Sequence, residues 1–130
     1  MKNIQKVWRE HGKYNVNELW KKTKNIKTKR IYLDKIKHNL DKDLWTILKN
    51  GKEKYITPNQ VIKNPHLSPQ DAMKIINADL SYPIIIYNDN GDLDILDGLH
   101  RLVKSLVLGR KTIKVKYISN DILLKCKIKN

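Results

Sequence analysis

The sequence predicts an α+β fold, and three patterns in its second half support that prediction. Two apolar, β-branched runs at residues 83–87 and 92–96 flank an Asn-Asp-Asn-Gly turn signal, which is typical of a β-hairpin. Residues 101–108 follow with apolar side chains at helical spacing and stop at Gly109. Residues 112–118 then alternate apolar and polar side chains, as a half-buried strand does. Strands and a helix in this order indicate a small α+β domain.

The length and composition fit one domain with an added arm. The chain has 130 residues, of which 40% are hydrophobic. A domain of that size buries well over half of the surface that its unfolded chain exposes. The first part of the sequence is lysine-rich with helical patterning. We therefore expect a helical, basic N-terminal extension at residues 1–50 and the α+β domain at residues 51–130.

Further elements are predicted outside the C-terminal pattern. They are helices at residues 4–11, 16–24 and 42–50, short strands at residues 31–33 and 55–58, and a strand in the tail at residues 121–130. The third of these helices is predicted from Asp41 as its cap, Gly51 as its left-handed stop and the apolar side chains between them.

The strongest helix start in the sequence follows an Asn-Pro turn. Ser68 is a good N-cap, Pro69 suits the first helical position, and Asp71 completes a box-like start. The apolar residues among 72–76 are expected to form the buried face of this helix. Met73 belongs to that face, so we expect it to pack in the core.

Several side chains are expected to be either solvated or buried from their place in these patterns. Asp92 and Asp94 fall on the solvated side of the second hairpin strand. Lys104 and Ser105 fall on the wet face of the helix that follows. Trp45 is expected in the core.

The chain is strongly basic, with 27 Lys and Arg against 13 Asp and Glu and a formal net charge of +14. Such a charge favours encounters with polyanions, nucleic acid above all. The alternative is a compositional bias, because only four of these cations are arginines. The densest basic tract gives the candidate nucleic-acid contacts Lys21, Lys22, Lys24, Lys27, Lys29 and Arg30. The alternative for this tract is a solvated surface.

The cysteine content and the apolar runs bear on the compartment. The single cysteine, Cys126, excludes an internal disulfide and an all-cysteine zinc site. No apolar run approaches the roughly 20 residues that span a bilayer, and residues 1–8 lack the apolar core of a signal peptide. We expect an intracellular protein, cytoplasmic or nucleoid-associated, that is not secreted and has no membrane partner.

The segment richest in chemistry is Asp-Gly-Leu-His-Arg at residues 97–101, between a predicted strand and a predicted helix. A glycine there lets a ligand approach the backbone, and a helix start offers N–H groups and a partial positive charge to a phosphate. His100 and Arg101 add side chains that bind anions. Asp97 could hold Mg²⁺ through a water molecule or accept a hydroxyl proton. The alternative is a plain turn in which Asp97 caps the helix.

From about residue 55 to residue 118 the sequence resembles the ParB/sulfiredoxin superfamily. The order of the predicted elements is the same, and a Leu-Gly pair follows the second helix. Asn-Pro-His at residues 64–66 stands where ParB proteins carry Asn-Pro-Arg. Residues 97–101 match the Asp-Gly-His-His-Arg of the free serine kinases at four of five positions. The resemblance implies a small mixed sheet flanked by helices and a nucleotide bound at this motif.

The departures from that pattern separate the members of the superfamily. Leu99 stands where sulfiredoxin has its reactive cysteine, so a sulfiredoxin reaction is not expected. The third nucleotide-binding arginine of ParB proteins falls on Val103. Only 12 residues follow Ile118, which leaves no room for the helix-turn-helix domain of a partition protein. The best match is to the serine-kinase motif.

The motif and the resemblance together define the predicted site. Its phosphate- or nucleotide-binding residues are Gly98, Leu99, His100, Arg101 and His66. Its catalytic residues are Asp97, His100 and Asp79, with Asp71 as the other candidate for the second carboxylate, and Asp97 is also the candidate metal ligand. The predicted ligand is ATP, ADP or CTP, with Mg²⁺.

Two functional hypotheses from different classes follow. The first is a nucleotide-binding domain, with phosphotransferase or nucleotide hydrolase activity as its enzymatic form. The second is a ParB-like protein that binds nucleic acid without a helix-turn-helix domain, with nuclease activity as its enzymatic form. A third alternative is an adaptor in which Trp8 and Trp20 contact a partner protein.

Overall fold

The computed structural model describes residues 15–126. Their strands are β1 (Lys29–Tyr32), β2 (Trp45–Lys49), β3 (Lys52–Ile56), β4 (Ile84–Asp89), β5 (Asp92–Asp97) and β6 (Thr112–Ile118). Their α-helices are α1 (Val16–Thr23), α2 (Pro58–Lys63), α3 (Pro69–Ile76), α4 (Leu99–Val107) and α5 (Asn120–Lys125). Short 3₁₀ segments lie at Leu33–Lys35, Lys37–Asp41 and Pro65–Leu67. The helix predicted at residues 4–11 lies outside the described residues.

A four-stranded mixed sheet in the order β1-β6-β4-β5 forms the centre. β4 and β5 form the predicted antiparallel hairpin, and β6 returns parallel to β4 after α4. β1 pairs antiparallel with the outer edge of β6. The α+β class predicted from the sequence is confirmed, as are the hairpin, the helix after it and the alternating last strand.

Each face of this sheet covers its own apolar core. On the first face, Ile84, Ile86 and Val115 are buried against α4 and the β2–β3 hairpin side. On the second face, Ile85 and Ile118 pack with residues of α1 and α5. The two sets alternate along β4 and β6, because successive side chains of a strand point to opposite faces. The sheet is therefore a middle layer between helices.

Residues 42–50 are not the helix that the sequence predicted. They contain β2, which pairs with β3 through a turn at Asn50 and Gly51. Both turn residues have positive φ, 54° and 75°, which matches the Asn-Gly turn of a tight hairpin. The Gly51 signal is real, but it ends a strand instead of a helix. The strand predicted at 55–58 ends at Ile56, because Thr57 caps α2.

The tail is also different from the prediction. Residues 120–125 form the helix α5, with Ser119 as its N-cap, where the sequence predicted a strand. The cap explains the difference, since the Ser119 side chain accepts a hydrogen bond from the Ile122 amide. Leu123 and Cys126 then turn inward and close the second core. Cys126 is free and buried.

The start of α3 is confirmed, and Ile75 packs partly buried against the first core, but Met73 and Ile76 are exposed where the sequence predicted a buried face. The Ser68 side chain caps the helix at the amide of Asp71, as predicted. None of the helix residues is fully buried, and Met73 is 56% exposed. On α4 the error is opposite, because Ser105 is buried where the sequence predicted a wet face. Trp45 is buried, as expected.

The prediction that Asp92 and Asp94 are solvated is wrong. The 3₁₀ segment Lys37–Asp41 lies along β5, the free edge of the sheet, and Asn39 Nδ2 donates to the Leu93 carbonyl at 2.8 Å. This cover shields an edge strand from pairing with another chain. It also buries the Asp94 side chain completely.

The described part of the N-terminal extension shares its structure with the rest of the chain. β1 belongs to the central sheet, and Leu33, Ile36 and Leu40 belong to the first core. Residue 50 lies in the turn of the β2–β3 hairpin. None of the helices between residues 15 and 126 is both long and apolar enough to cross a bilayer.

Candidate functional site

A cavity of about 640 Å³ opens between α1 and the second face of the sheet. It lies at the end of β5, where the chain turns into α4. Its lining residues come from four parts of the chain: Trp20, Thr23, Lys24, Asp79, Tyr82, Pro83, Ile85, Asp97, Arg101 and Lys116. The set combines three cationic side chains, two carboxylates and two aromatic rings with the apolar side chains of Pro83 and Ile85.

Two hydrogen bonds hold Arg101 in the wall of the cavity. Its Nη1 donates to the Pro83 carbonyl at 2.6 Å, and its Nη2 donates to Asp97 Oδ2 at 2.9 Å. The side chain is 15% exposed. Because α4 begins at Leu99, Asp97 and Arg101 stand four residues apart across the helix start and meet on one side. The guanidinium is therefore already oriented before any ligand arrives.

Asp97 joins α4 to α1. Its Oδ2 accepts the Arg101 bond and a second bond from Trp20 Nε1 at 2.7 Å. Both partners are donors, so one carboxylate oxygen accepts both hydrogen bonds. The bond to Trp20 makes α1 a wall of the cavity.

Lys116 fixes the other end of α1. Its Nζ donates to the carbonyl oxygens of Thr23 at 2.9 Å and Lys24 at 3.3 Å, at the C-terminus of the helix. A cation is favourable there because the helix end carries unpaired carbonyls and a partial negative charge. An ammonium has three N–H donors, so these two bonds leave one for a ligand.

Asp79 also lines the cavity. It accepts hydrogen bonds from the Ser81 hydroxyl at 2.7 Å and the Ser81 amide at 2.9 Å. These two bonds lower the pKa of the Asp79 carboxyl below its usual value, and Lys104 and Arg101 add to the effect. Asp79 is therefore a carboxylate at neutral pH.

Packing inside the protein requires a residue without a Cβ at Gly98. Gly98 has φ 108°, and a Cβ there would lie 2.9 Å from Ile84 Cγ1 and 3.2 Å from Arg101 Cζ. A side chain at this position would push against β4 and displace the guanidinium. The sequence predicted glycine for close approach of a ligand, whereas the close approach that the structure shows is to Ile84 and Arg101.

His100 belongs to a different group of side chains. Its ring stacks on Trp45, with the centroids 4.7 Å apart and an interplanar angle of 12°. Its Nε2 lies 2.9 Å from Asp71 Oδ1, and Asp71 Oδ2 accepts a bond from the Ser68 hydroxyl. The imidazole therefore joins α4 to α3 and the β2–β3 hairpin, and it is not among the residues that line the cavity.

The structure thus brings together only part of the predicted site. Asp97, Arg101 and Asp79 share the cavity. His66 is exposed in its 3₁₀ turn, and Leu99 packs partly buried against the first core. Asp71, the other candidate carboxylate, is bonded to His100.

The cavity residues that come from distant elements were not predicted from the sequence. Trp20, Lys116 and Tyr82 carry no motif, and no local signal indicates that they lie together. Lys24 was predicted, but as a nucleic-acid contact. The remaining members of the predicted basic tract are exposed: Lys21, Lys22, Lys27, Lys29 and Arg30.

A second polar cluster, also missed, lies at the β5 edge. Lys42 Nζ is 2.7 Å from Asp94 Oδ1 and 3.6 Å from Asp92 Oδ2, and His38 Nε2 is 3.2 Å from Asp92 Oδ1. Burial raises the pKa of the Asp94 carboxyl, although Lys42 opposes that effect. Within residues 15–126 no three His, Cys, Asp or Glu side chains are grouped so that they could hold a metal ion.

Comparisons with known proteins found no matching family model, no matching curated protein and no matching solved structure. A function for this protein must therefore be inferred from the chemistry of the cavity. A fixed guanidinium beside ammonium groups suits an anionic group, exposed aromatic rings suit a planar ring, and carboxylates suit hydroxyl groups. These three kinds of group occur together in a nucleotide.

Proposed function

We propose that this protein binds a nucleotide in the cavity between α1 and the sheet. The observation that supports this most directly is the guanidinium of Arg101, which Asp97 and Pro83 hold in one orientation on the cavity wall. A fixed arginine loses little side-chain entropy when it binds a phosphate, and its fork matches phosphate oxygens. Lys24 and Lys116 line the same cavity and add positive charge.

The aromatic residues of the cavity suit the base of the nucleotide. Trp20 is 52% exposed and Tyr82 is 64% exposed, although both are large apolar side chains. Each ring offers a face on which a base could stack, an interaction worth roughly 1–3 kcal/mol per base. The cavity volume of about 640 Å³ lies within the range of small-molecule sites, roughly 300–1,000 Å³.

The carboxylates suit the sugar and a cation. Both side-chain bonds to Asp97 end on Oδ2, so Oδ1 could accept a bond from a ligand hydroxyl or a cation-bound water. Mg²⁺ commonly uses one or two carboxylates together with the phosphates of its nucleotide. Asp97 and Asp79 fit that limited role, and the bound cation would neutralise phosphate charge.

Binding is better supported than a reaction. Phosphotransfer or hydrolysis requires a base near the phosphates, and Asp79 is the carboxylate of the cavity that could serve. Its lowered pKa makes it a weak base at neutral pH. His100 is turned towards Asp71 and Trp45. We therefore propose nucleotide binding as the function and phosphotransferase or hydrolase activity only as an extension of it.

The family proposal follows from the same region. A ParB/sulfiredoxin-like domain is supported by the order β3, α2, Asn-Pro turn, α3, β4, β5, Asp-Gly-x-His-Arg, α4 and β6. Apart from α2, which was not predicted, that order is the one that the resemblance implies. The position of Arg101 at the cavity is consistent with a phosphate site at this motif.

Nucleic-acid binding is the second candidate. The observation that favours it is the exposure of the basic tract from Lys21 to Arg30. The only carboxylate within 4.0 Å of a tract cation, among residues 15–126, is Glu18, which lies 3.9 Å from Lys22. This surface is therefore rich in uncompensated positive charge.

Isothermal titration tests nucleotide binding. ATP, ADP and CTP are each titrated with and without Mg²⁺ into wild type, Arg101→Gln and Arg110→Gln. Arg110 is an exposed arginine just past the end of α4, so it controls for the loss of one positive charge. We expect Arg101→Gln to weaken binding about 10- to 150-fold, the equivalent of a charged hydrogen bond. A folded wild-type protein that binds none of the three at millimolar concentration overturns the proposal.

A further inference from the structure

A row of cationic side chains leaves the cavity along the second face of the sheet. Lys116 lines the cavity and shares its face of β6 with Lys114, because side chains two residues apart point the same way. Arg30 of β1 is the direct cross-strand partner of Lys114. Cross-strand partners also share a face, so Lys116, Lys114 and Arg30 form one row.

The apolar residues beside the row show which face of the sheet it occupies. Ile31, Ile113 and Val115 alternate with the row and pack in the first core. Ile118, two residues beyond Lys116, packs in the second core with α1 and α5. The row therefore begins where α1 covers the second face and runs outward to the edge strand β1.

An exposed aromatic ring stands at the outer end of the row. Tyr32 lies two residues from Arg30 on β1, opposite Thr112, and is 64% exposed. Arg30 itself donates to Thr112 Oγ1 at 3.2 Å, which holds the guanidinium over this end of the sheet. The surface thus carries aromatic rings at both ends, Trp20 and Tyr82 in the cavity and Tyr32 outside it, with cations between them.

We infer that the cavity and this row form one continuous site for single-stranded nucleic acid. One nucleotide enters the cavity, and the phosphates of the following nucleotides lie along Lys116, Lys114 and Arg30. The inference rests on the proposed function, because it assigns the nucleotide of the cavity to a polymer. Lys24 belongs both to the cavity and to the basic tract, so the charge is unbroken between them.

The chemistry favours a single strand over a duplex. A base can enter a cavity of this size only when it is unpaired, since bases inside a duplex are stacked and hydrogen-bonded to their partners. Surfaces that bind single strands combine a positive groove for the backbone with aromatic side chains that stack bases. The row on the sheet has both features.

The test compares mononucleotides with oligonucleotides. Binding of fluorescein-labelled oligo-dT and oligo-U of ten nucleotides, and of a ten-base-pair DNA duplex, is measured by anisotropy at several salt concentrations. ATP and CTP binding is measured in parallel by calorimetry. The protein is the full chain, as wild type, Arg30→Gln/Lys114→Gln, Tyr32→Leu and Lys49→Gln/Lys52→Gln.

The last variant is the matched control. Lys49 and Lys52 are also direct cross-strand partners on two antiparallel strands, and both are exposed, but they lie on the β2–β3 hairpin. Both double variants lose the same charge. Far-UV circular dichroism establishes that each variant is folded before binding is measured.

The expected result is specific to the row. At least one of the two oligonucleotides should bind wild type at least tenfold more tightly than a mononucleotide or the duplex does. Comparing oligo-dT with oligo-U then shows whether the site prefers DNA or RNA. Arg30→Gln/Lys114→Gln should reduce the salt dependence of oligonucleotide affinity by about 1.4 in log–log slope, about 0.7 per phosphate contact. Tyr32→Leu should weaken oligonucleotide binding at least threefold. Mononucleotide affinity should stay within twofold in both variants.

Three results would overturn the inference. If a mononucleotide binds wild type and the oligonucleotides gain nothing, or if the hairpin control loses as much as the row variant, the row is not part of the site and the proposed function stands. If no mononucleotide binds, the proposed function itself is wrong and this inference is lost with it.

Discussion

Trp20 Nε1 donates a 2.7 Å hydrogen bond to Asp97 Oδ2 across 77 residues of sequence. This bond ties the first described helix to the end of β5, and Arg101 binds the same oxygen at 2.9 Å. One carboxylate oxygen therefore positions both the aromatic ring and the guanidinium of the cavity. Whatever loosens this contact should change the shape of the site.

Trp20→Phe tests this link. The substitution keeps an aromatic face but removes the N–H donor, so the stacking surface remains while α1 loses a bond to the sheet. We expect a loss of about 1 kcal/mol in the free energy of unfolding, less than the roughly 1.5–3 kcal/mol of a bond to a charged group, because the indole is half exposed. Urea unfolding measures it. Nucleotide affinity should fall further in Trp20→Ala than in Trp20→Phe, and equal losses would show that the ring does not stack on the ligand.

Gly98→Ala should destabilise the fold more than Gly91→Ala. Both glycines have positive φ, 108° and 93°, but nothing lies within 4 Å of a Cβ built on Gly91. Both substitutions therefore carry the cost of placing alanine at a positive φ. The difference between the two losses of stability measures the contact of the new Cβ with Ile84 and Arg101. We expect Gly98→Ala to cost about 1–3 kcal/mol more, the usual range for overpacking. Thermal and urea unfolding of the two variants measure the difference. Equal costs would show that the turn can move away from β4.

Asp94→Asn should alter the pH dependence of stability. Burial raises the pKa of the folded Asp94 carboxyl above its unfolded value, so ionisation costs the folded state more than the unfolded state. The penalty is absent below the unfolded pKa and develops as pH rises through the folded pKa. The variant lacks this group. The free energy of unfolding of the variant minus that of wild type should therefore increase as pH rises from about 4 to 7.

The control for that pH series is Asp43→Asn. Asp43 is an exposed aspartate beside the same segment, so it changes the net charge by the same amount. Urea unfolding at each pH gives both differences. A flat difference for Asp94→Asn would mean that Lys42 compensates for the burial of Asp94. An equal slope for Asp43→Asn would mean that the slope reports only the loss of one negative charge.

His100→Ala separates a positioning role from contact with ligand. The imidazole stacks on Trp45 and bonds to Asp71, and both interactions are lost in the variant. We expect a loss of about 2 kcal/mol in stability, which combines an aromatic contact and a charged hydrogen bond. Nucleotide affinity should stay within twofold of wild type in calorimetry. A tenfold loss of affinity with unchanged stability would instead show that His100 contacts the ligand, as the sequence predicted.

Residues 42–50 show where local patterns were insufficient. Leu44, Trp45 and Ile47 fit an amphipathic helix, and Gly51 fits a helix stop, yet the same residues form β2 and its turn. Short apolar runs do not distinguish helix from strand, because both periods place apolar side chains on one side. The Asn50–Gly51 pair was the better signal, since an Asn-Gly pair favours the tight turn between two strands.

Asp92 and Asp94 show a different limit. Their alternation with Leu93 and Ile95 correctly indicated a strand with two faces. The pattern carried no information on the segment Lys37–Asp41, which folds along the edge of that strand and covers it. A polar face was therefore mistaken for a solvated one.

The sequence by itself determined the elements whose signals are local: the turn at Gly91, the cap at Ser68, the alternating strand at 112–118 and the chemical content of residues 97–101. Only the tertiary structure decided which side chains share a site. Neighbouring side chains on a helix point in different directions, so His100 contacts Asp71 while Arg101 contacts Asp97. Sheet order and register then brought Trp20 and Lys116 to the same cavity, because such contacts depend on how distant segments pack and not on the residues beside them.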